Sequence, residues 1–97
     1  MFVGTMECDL LLGDVHSLKE KRGVVRPIVG ELRRRFEVAV AETDHLDLHR
    51  RAAIGVSVVA ADAAHCGDVL DECERFVADR PEVDLLSARR RLIGPDD

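Results

Sequence analysis

The sequence contains no Trp, Tyr, Asn or Gln, and its only aromatic residues are three Phe. So few rings argue against a face built to stack bases, the device by which single-stranded RNA modules read sequence. No apolar run approaches the ~20 residues that a membrane-spanning helix needs. The N-terminus alternates and carries Glu7 and Asp9, unlike a secretory leader, so a cytoplasmic protein is the expectation. Three Cys cannot all pair within one chain. Cys66 and Cys73 fall on one helix face and Cys8 in a strand, so they read as buried thiols. Glycine-rich phosphate loops, GxSxG and HExxH are missing as well, and no Ser/His/Asp order stands out. Nothing sets up a nucleophile for acyl transfer, so the expectation is a protein without catalysis, metal or cofactor.

What is present is compatible with one domain, residues 1–97, holding a single modest core. The formal charge is −5, from 19 acidic against 14 basic residues. That balance argues against strong nonspecific binding to nucleic acid, and no DNA partner is expected. A local basic contact is compatible with it, because the positive charge is concentrated. Between Ser17 and Arg35 lie Lys19, Lys21, Arg22, Arg26, Arg33, Arg34 and Arg35 against only Glu20 and Glu31.

The same stretch reads as a helix. Ser17 and Glu20 fit a capping box, with the Ser17 hydroxyl accepting from the Glu20 N–H and the Glu20 carboxylate returning to the Ser17 N–H. At 100° per residue, Leu18, Val25, Val29, Leu32 and Phe36 form a stripe with Ile28 at its edge. Pro27 lies on the opposite side, where it should bend the helix around a core; a break near Arg26 is the alternative. Read plainly, the arginines are a solvated face whose last turn complements the helix dipole. Read for function, Lys19, Arg22, Arg26, Arg33 and Arg34 are a docking strip for phosphate or an acidic surface.

Phe2 to Leu12 alternates as a half-buried strand, and Val38 to Thr43 and Ala52 to Ala60 read as two more. Asp62 caps a second helix to about Asp79, with an apolar stripe of Cys66, Val69, Leu70, Cys73, Phe76 and Val77 and an acidic outer side. Val83 to about Ile93 is a fourth strand whose register stays open, because Leu85 and Leu86 compete for the core side. The order β-α-β-β-α-β with right-handed crossovers predicts an α+β ferredoxin-like sandwich: a four-stranded antiparallel sheet with two helices on one face. The other sheet face would be lined by small residues, Ala39, Ala41, Ala53, Gly55 and Ser57 among them, which suits close approach of a second copy. A homodimer is expected.

Two constellations merit a chemical reading. Asp44, His45, Asp47 and His49 are dense in ligand atoms, but with neither a Cys pair nor a helical frame they read as a solvated polar turn. Glu42 shares parity with Val38 and Val40 and so points toward the helix layer. The expected structural ion pair is Arg22 with Glu42, or Lys21 with Glu42.

The elements His16 to Arg22 (HSLKEKR), Leu32-Arg33-x-Arg35-Phe36, Val40-Ala41-Glu42-x-Asp44-His45-x-Asp47-Leu48 and Arg51-Ala52-x-Ile54-Gly55 closely resemble the YlxP-like family. These are small bacterial proteins classed as a domain of unknown function. The resemblance implies a ferredoxin-like fold, a bacterial cytoplasmic protein, and a gene often found beside those for ribosome maturation, translation initiation and transcription termination. It supplies no catalytic set. The usual pattern has Asn in place of Glu37, Trp in place of His49 and Gln in place of Leu46 and Arg50. Together these readings suggest a non-enzymatic accessory protein docking on structured RNA or a ribosomal component. The alternative is a homodimeric protein–protein adaptor that uses its sheet face without touching nucleic acid. A small-ligand or metal-binding regulatory domain is a third option, on fold analogy alone.

Overall fold

A computed structural model describes residues 1–97. The chain runs β1 (Phe2–Leu12), α1 (Leu18–Phe36), β2 (Ala39–Asp44), β3 (Arg51–Ala60), α2 (Ala63–Ala78) and β4 (Val83–Ile93). The strands form one antiparallel sheet in the order β2-β3-β1-β4, with β2 and β4 at its edges. This is the ferredoxin-like α+β arrangement expected from the element order.

Alternation along β1 turns Met6, Cys8, Leu10 and Leu12 to one side, where β3 contributes Ala52, Ile54, Val56 and Val58. Both helices cover that side. Cys66, Leu70, Cys73 and Val77 of α2 recur at helical spacing and are buried. Asp62 caps this helix, its carboxylate accepting from the His65 N–H at 2.8 Å. Gly4 of β1 allows α2 to lie close, since a Cβ there would meet Leu70, Cys66 and Val58 side chains at 3.1–3.3 Å.

Helix α1 begins as the capping box predicts, with Ser17 Oγ accepting from Glu20 N at 3.1 Å. The return bond differs: the Glu20 carboxylate accepts from the His16 N–H, one residue earlier than Ser17. The helix continues unbroken through Pro27, which is exposed. Its buried residues are Lys21, Val25, Ile28 and Leu32. The apolar face is therefore turned by roughly 40° from the centre of the stripe of Leu18, Val25, Val29, Leu32 and Phe36, as helical spacing measures it. Val24 and Val29 become its half-buried flanks. Glu37 ends the helix with φ 52°, in the left-handed region that Asn or Gly adopts at less cost.

The open question in β4 is answered by a bulge. Asp9 pairs with Ser87 but Leu10 pairs with Leu85, which leaves Leu86 as the extra residue. Leu85 packs on the core and Leu86 is exposed, and because the bulge reverses side-chain parity across it, Ala88 packs on the core too. Beyond it Arg90 shares the helix-side face and reaches Asp71 and Glu74 of α2 at 2.7 and 2.9 Å.

The rotation of α1 has a measurable consequence. Ile28→Ala should cost about 2–5 kcal/mol, the usual range for a fully buried aliphatic truncated to Ala. Val29→Ala on the flank should cost about 1 kcal/mol, since burial there is partial. Urea unfolding of the two variants checks the order, and equal losses would place the buried face where spacing alone put it.

Candidate functional site

The chain has 14 Lys and Arg, and most are engaged within the protein. Arg34 approaches Glu31, Arg51 binds both Asp9 oxygens, Arg80 pairs with Glu31 and Glu82, Arg89 with Glu7, and Arg90 with Asp71 and Glu74. Arg33 donates to the Val40 carbonyl of edge strand β2, and Arg50 to the carbonyls of Leu12 and Gly13. The Arg35 guanidinium lies over the Phe36 and Phe76 rings, 5.6 and 5.2 Å from their centroids. Lys21 is buried against Glu42. Lys19, Arg22, Arg26, Arg75 and Arg91 remain without ion pair, side-chain hydrogen bond or ring contact.

Three of these five lie together. Lys19, Arg22 and Arg26 are exposed on α1 and, with Gly23 and Pro27, line a groove of about 380 Å³. Helical spacing makes this site: positions 19, 22, 23, 26 and 27 follow i, i+3, i+4, i+7, i+8 along one face. Gly23 leaves the gap between the cations, and a Cβ built on it meets nothing within 4 Å. No carboxylate lines the groove. Unpaired cations in this arrangement suit an anion's charge and provide no nucleophile and no base.

The proposed strip therefore divides. Lys19, Arg22 and Arg26 come together around the groove, whereas Arg33 is drawn to β2 and Arg34 to Glu31. The ion pair of Arg22 with Glu42 does not form. Its alternative does: Lys21 Nζ stands 2.8 Å from Glu42 Oε2, with the two side chains 3% and 24% exposed. The α1 rotation is the cause, since it carries position 21 into the core side and position 22 out of it. Lys21 also donates to the His45 carbonyl at 2.6 Å, a contact with no counterpart in the sequence reading. It ties α1 to the β2–β3 connection, where His45 takes φ 59°.

Around that connection the side chains of Asp44, His45, Asp47 and His49 do not gather as a metal-holding group. His45 turns instead toward Asp9, 3.5 Å away, and Arg51 binds the same carboxylate. The Arg51 hydrogen bonds hold the Asp9 carboxyl below its ordinary range. Spacing singles out neither Arg51 nor Asp9; they become diagonal neighbours only once β1 and β3 pair, with Arg51 opposite Leu11 and Asp9 opposite Ala53. Burial pushes the Cys8 thiol up to about 12 and the Cys73 thiol to about 11, with Glu74 and Glu72 as the next causes. Both stay protonated at neutral pH and are poor nucleophiles.

The largest cleft, about 530 Å³, lies elsewhere, between the ends of α1 and α2. Arg35, Arg75 and Arg80 line it, but so do Glu72 and Asp79, and Arg80 is already held by Glu31 and Glu82. Its mixed charge makes it a weaker anion site than the smaller groove on α1.

Comparison with known proteins identifies a family and stops short of chemistry. The sequence pattern of the DUF503 family, described as a protein of unknown function, matches residues 3–90. The chain is 28% identical over 87 residues to the uncharacterized protein YlxP of Bacillus subtilis (strain 168), covering 90% of this chain and 95% of that one.

The buried pair makes an asymmetric prediction. Glu42→Ala leaves the Lys21 ammonium with one carbonyl and should destabilise by about 1–3 kcal/mol, below the value for a fully buried pair because Glu42 is partly wet. Lys21→Met frees Glu42 to turn to water and should cost less. Arg22→Ala should change stability by under about 0.5 kcal/mol, as an exposed unpaired residue does. Chemical denaturation of the three variants tests this ranking.

Proposed function

The chain belongs to the DUF503 family of proteins of unknown function, and from that premise we propose a role read from its own surface. It is a non-catalytic accessory protein that docks on structured RNA of the ribosome or the RNA-processing machinery through the α1 groove. One observation carries the reading. In a chain with 19 acidic residues, Lys19, Arg22 and Arg26 have no carboxylate partner and converge on one groove. The gene neighbourhood implied by the YlxP-like resemblance favours RNA over other polyanions.

Base-specific readout is not part of the proposal. The outward residues of β1 and β3 include Thr5, Glu7, Ala53, Gly55 and Ser57, none of them a ring, so contact is made to phosphates from the helix layer. With about three phosphates neutralised, the logarithmic salt slope is about −2.7, and raising salt from about 50 to about 200 mM weakens binding roughly 40-fold.

Two variants test the reading by co-sedimentation with purified ribosomes and with protein-free ribosomal RNA. Arg22→Glu/Arg26→Glu should abolish retention. Gly23→Leu keeps every charge but fills the groove, so retention should fall while helix stability rises by about 0.5–1 kcal/mol. Equal loss on reversing Arg75 and Arg91 would mean that overall charge, not the groove, governs retention. No retention of the wild type at low salt leaves the homodimeric adaptor as the better reading.

A further inference from the structure

The sheet face turned away from the helices has a lopsided relief. Cross-strand register sets its side chains in rows: Val59, Val3 and Ile93; then Ala39, Ser57, Thr5 and Arg91; then Ala41, Gly55, Glu7 and Arg89. The β2–β3 half thus offers Ala39, Ala41, Gly55 and Ser57, which floor a trough of about 400 Å³. The β1–β4 half offers Thr5, Glu7, Arg89 and Arg91. Val59 is 62% exposed although two more aliphatic side chains share its row.

High and low halves of one surface are related by a simple operation. A two-fold axis parallel to the strands, passing between β3 and β1, keeps every row at its level and reverses the strand order. It sets Arg91 of a second copy over Ala39, Arg89 over Ala41, Ser57 against Thr5, and Val59 against Val3. Large residues then meet small ones in two rows, and aliphatic meets aliphatic in the third. We propose that this face is the interface of an isologous dimer, with a second copy of this chain as its occupant.

Charge supports the same occupant. Glu7 is paired with Arg89 within the chain. Arg91 has no acidic partner of its own, and the axis brings it beside the start of β2, where Glu37 has no basic one. A polyanion would meet Glu7 and find no ring to stack on. A copy of net charge −5 meets no unpaired acid in the three rows. Four strands at ~4.8 Å spacing and three rows ~7 Å apart bury on the order of 1,000 Å² in total, the lower limit for a specific interface. The α1 groove faces outward on each copy.

Light scattering and sedimentation equilibrium of the full chain at about 100 µM should give twice the 10.7 kDa monomer mass. Ala41→Arg fills the trough and should return the mass to that of a monomer, with the circular dichroism of the wild type. The double variant Ala39→Cys/Arg91→Cys should cross-link into a covalent dimer on mild oxidation, whereas Ala39→Cys alone should not. This pair decides the matter even where Ala41→Arg fails to fold. A wild type of 10.7 kDa throughout, a folded Ala41→Arg that remains dimeric, or a double-cysteine variant that does not cross-link would each overturn the proposal. Gly23→Leu, on the opposite layer, should leave the mass unchanged.

Discussion

The buried ammonium of Lys21 sets the rotation of α1, and with it much of what the surface presents. A charge taken out of water needs a close counter-charge and further hydrogen bonds, or it is not tolerated. Lys21 finds Glu42 on β2 and the His45 carbonyl beyond it. Because consecutive helical residues differ by 100°, fixing position 21 inward fixes Lys19, Arg22 and Arg26 outward. The same contact holds the β2–β3 connection, which is also tied by Arg50 to the Leu12 and Gly13 carbonyls and by His45 to Asp9. One ion pair thus relates the helix to the sheet edge and selects which cations remain free.

Much of the architecture could be read from periodicity. Alternation in β1 and β3 and the three-to-four spacing in both helices leave few other ways to bury one apolar face per element. Leu85 and Leu86 show where that logic ends: no period contains a bulge, because the extra residue is accommodated by the partner strand and not by its own sequence. The rotation of α1 escapes periodicity for a related reason. Leu18 and Phe36 pull the stripe toward Val29, yet they lie at the helix ends, where packing constrains orientation least. A charged residue between apolar positions, Lys21 four before Val25, was the usable signal.

The candidate site was half legible. Charge density marks α1 but does not separate its free cations from its engaged ones, because a sequence shows which cations exist and not which are already bound. Arg33 and Arg34 looked equivalent to Arg22 and Arg26 until β2 supplied a carbonyl to one and Glu31 a carboxylate to the other. Arg89 and Arg90 adjoin Arg91, yet only Arg91 is left free, since alternation sends its neighbours to Glu7 and to α2. Net charge is a poor guide for the same reason. Most of the acidic residues lie on α2, in the loops and at the C-terminal end, and the α1 groove is left without a carboxylate.

The two proposed contacts lie on opposite layers, so each can form without the other, and their combination has a physical consequence. Three phosphate contacts alone give weak and strongly salt-dependent binding. A dimer joined through its sheets carries two such grooves on a rigid frame, and once one groove is occupied the second sees its site at a high effective concentration. That gain exists only for an RNA whose shape presents two phosphate clusters at the right separation, whereas an extended single strand or a short duplex engages one. Selectivity for a folded RNA then follows from geometry without any base being read, which suits a chain whose three aromatic residues are Phe2, Phe36 and Phe76, all at least partly packed against its own core.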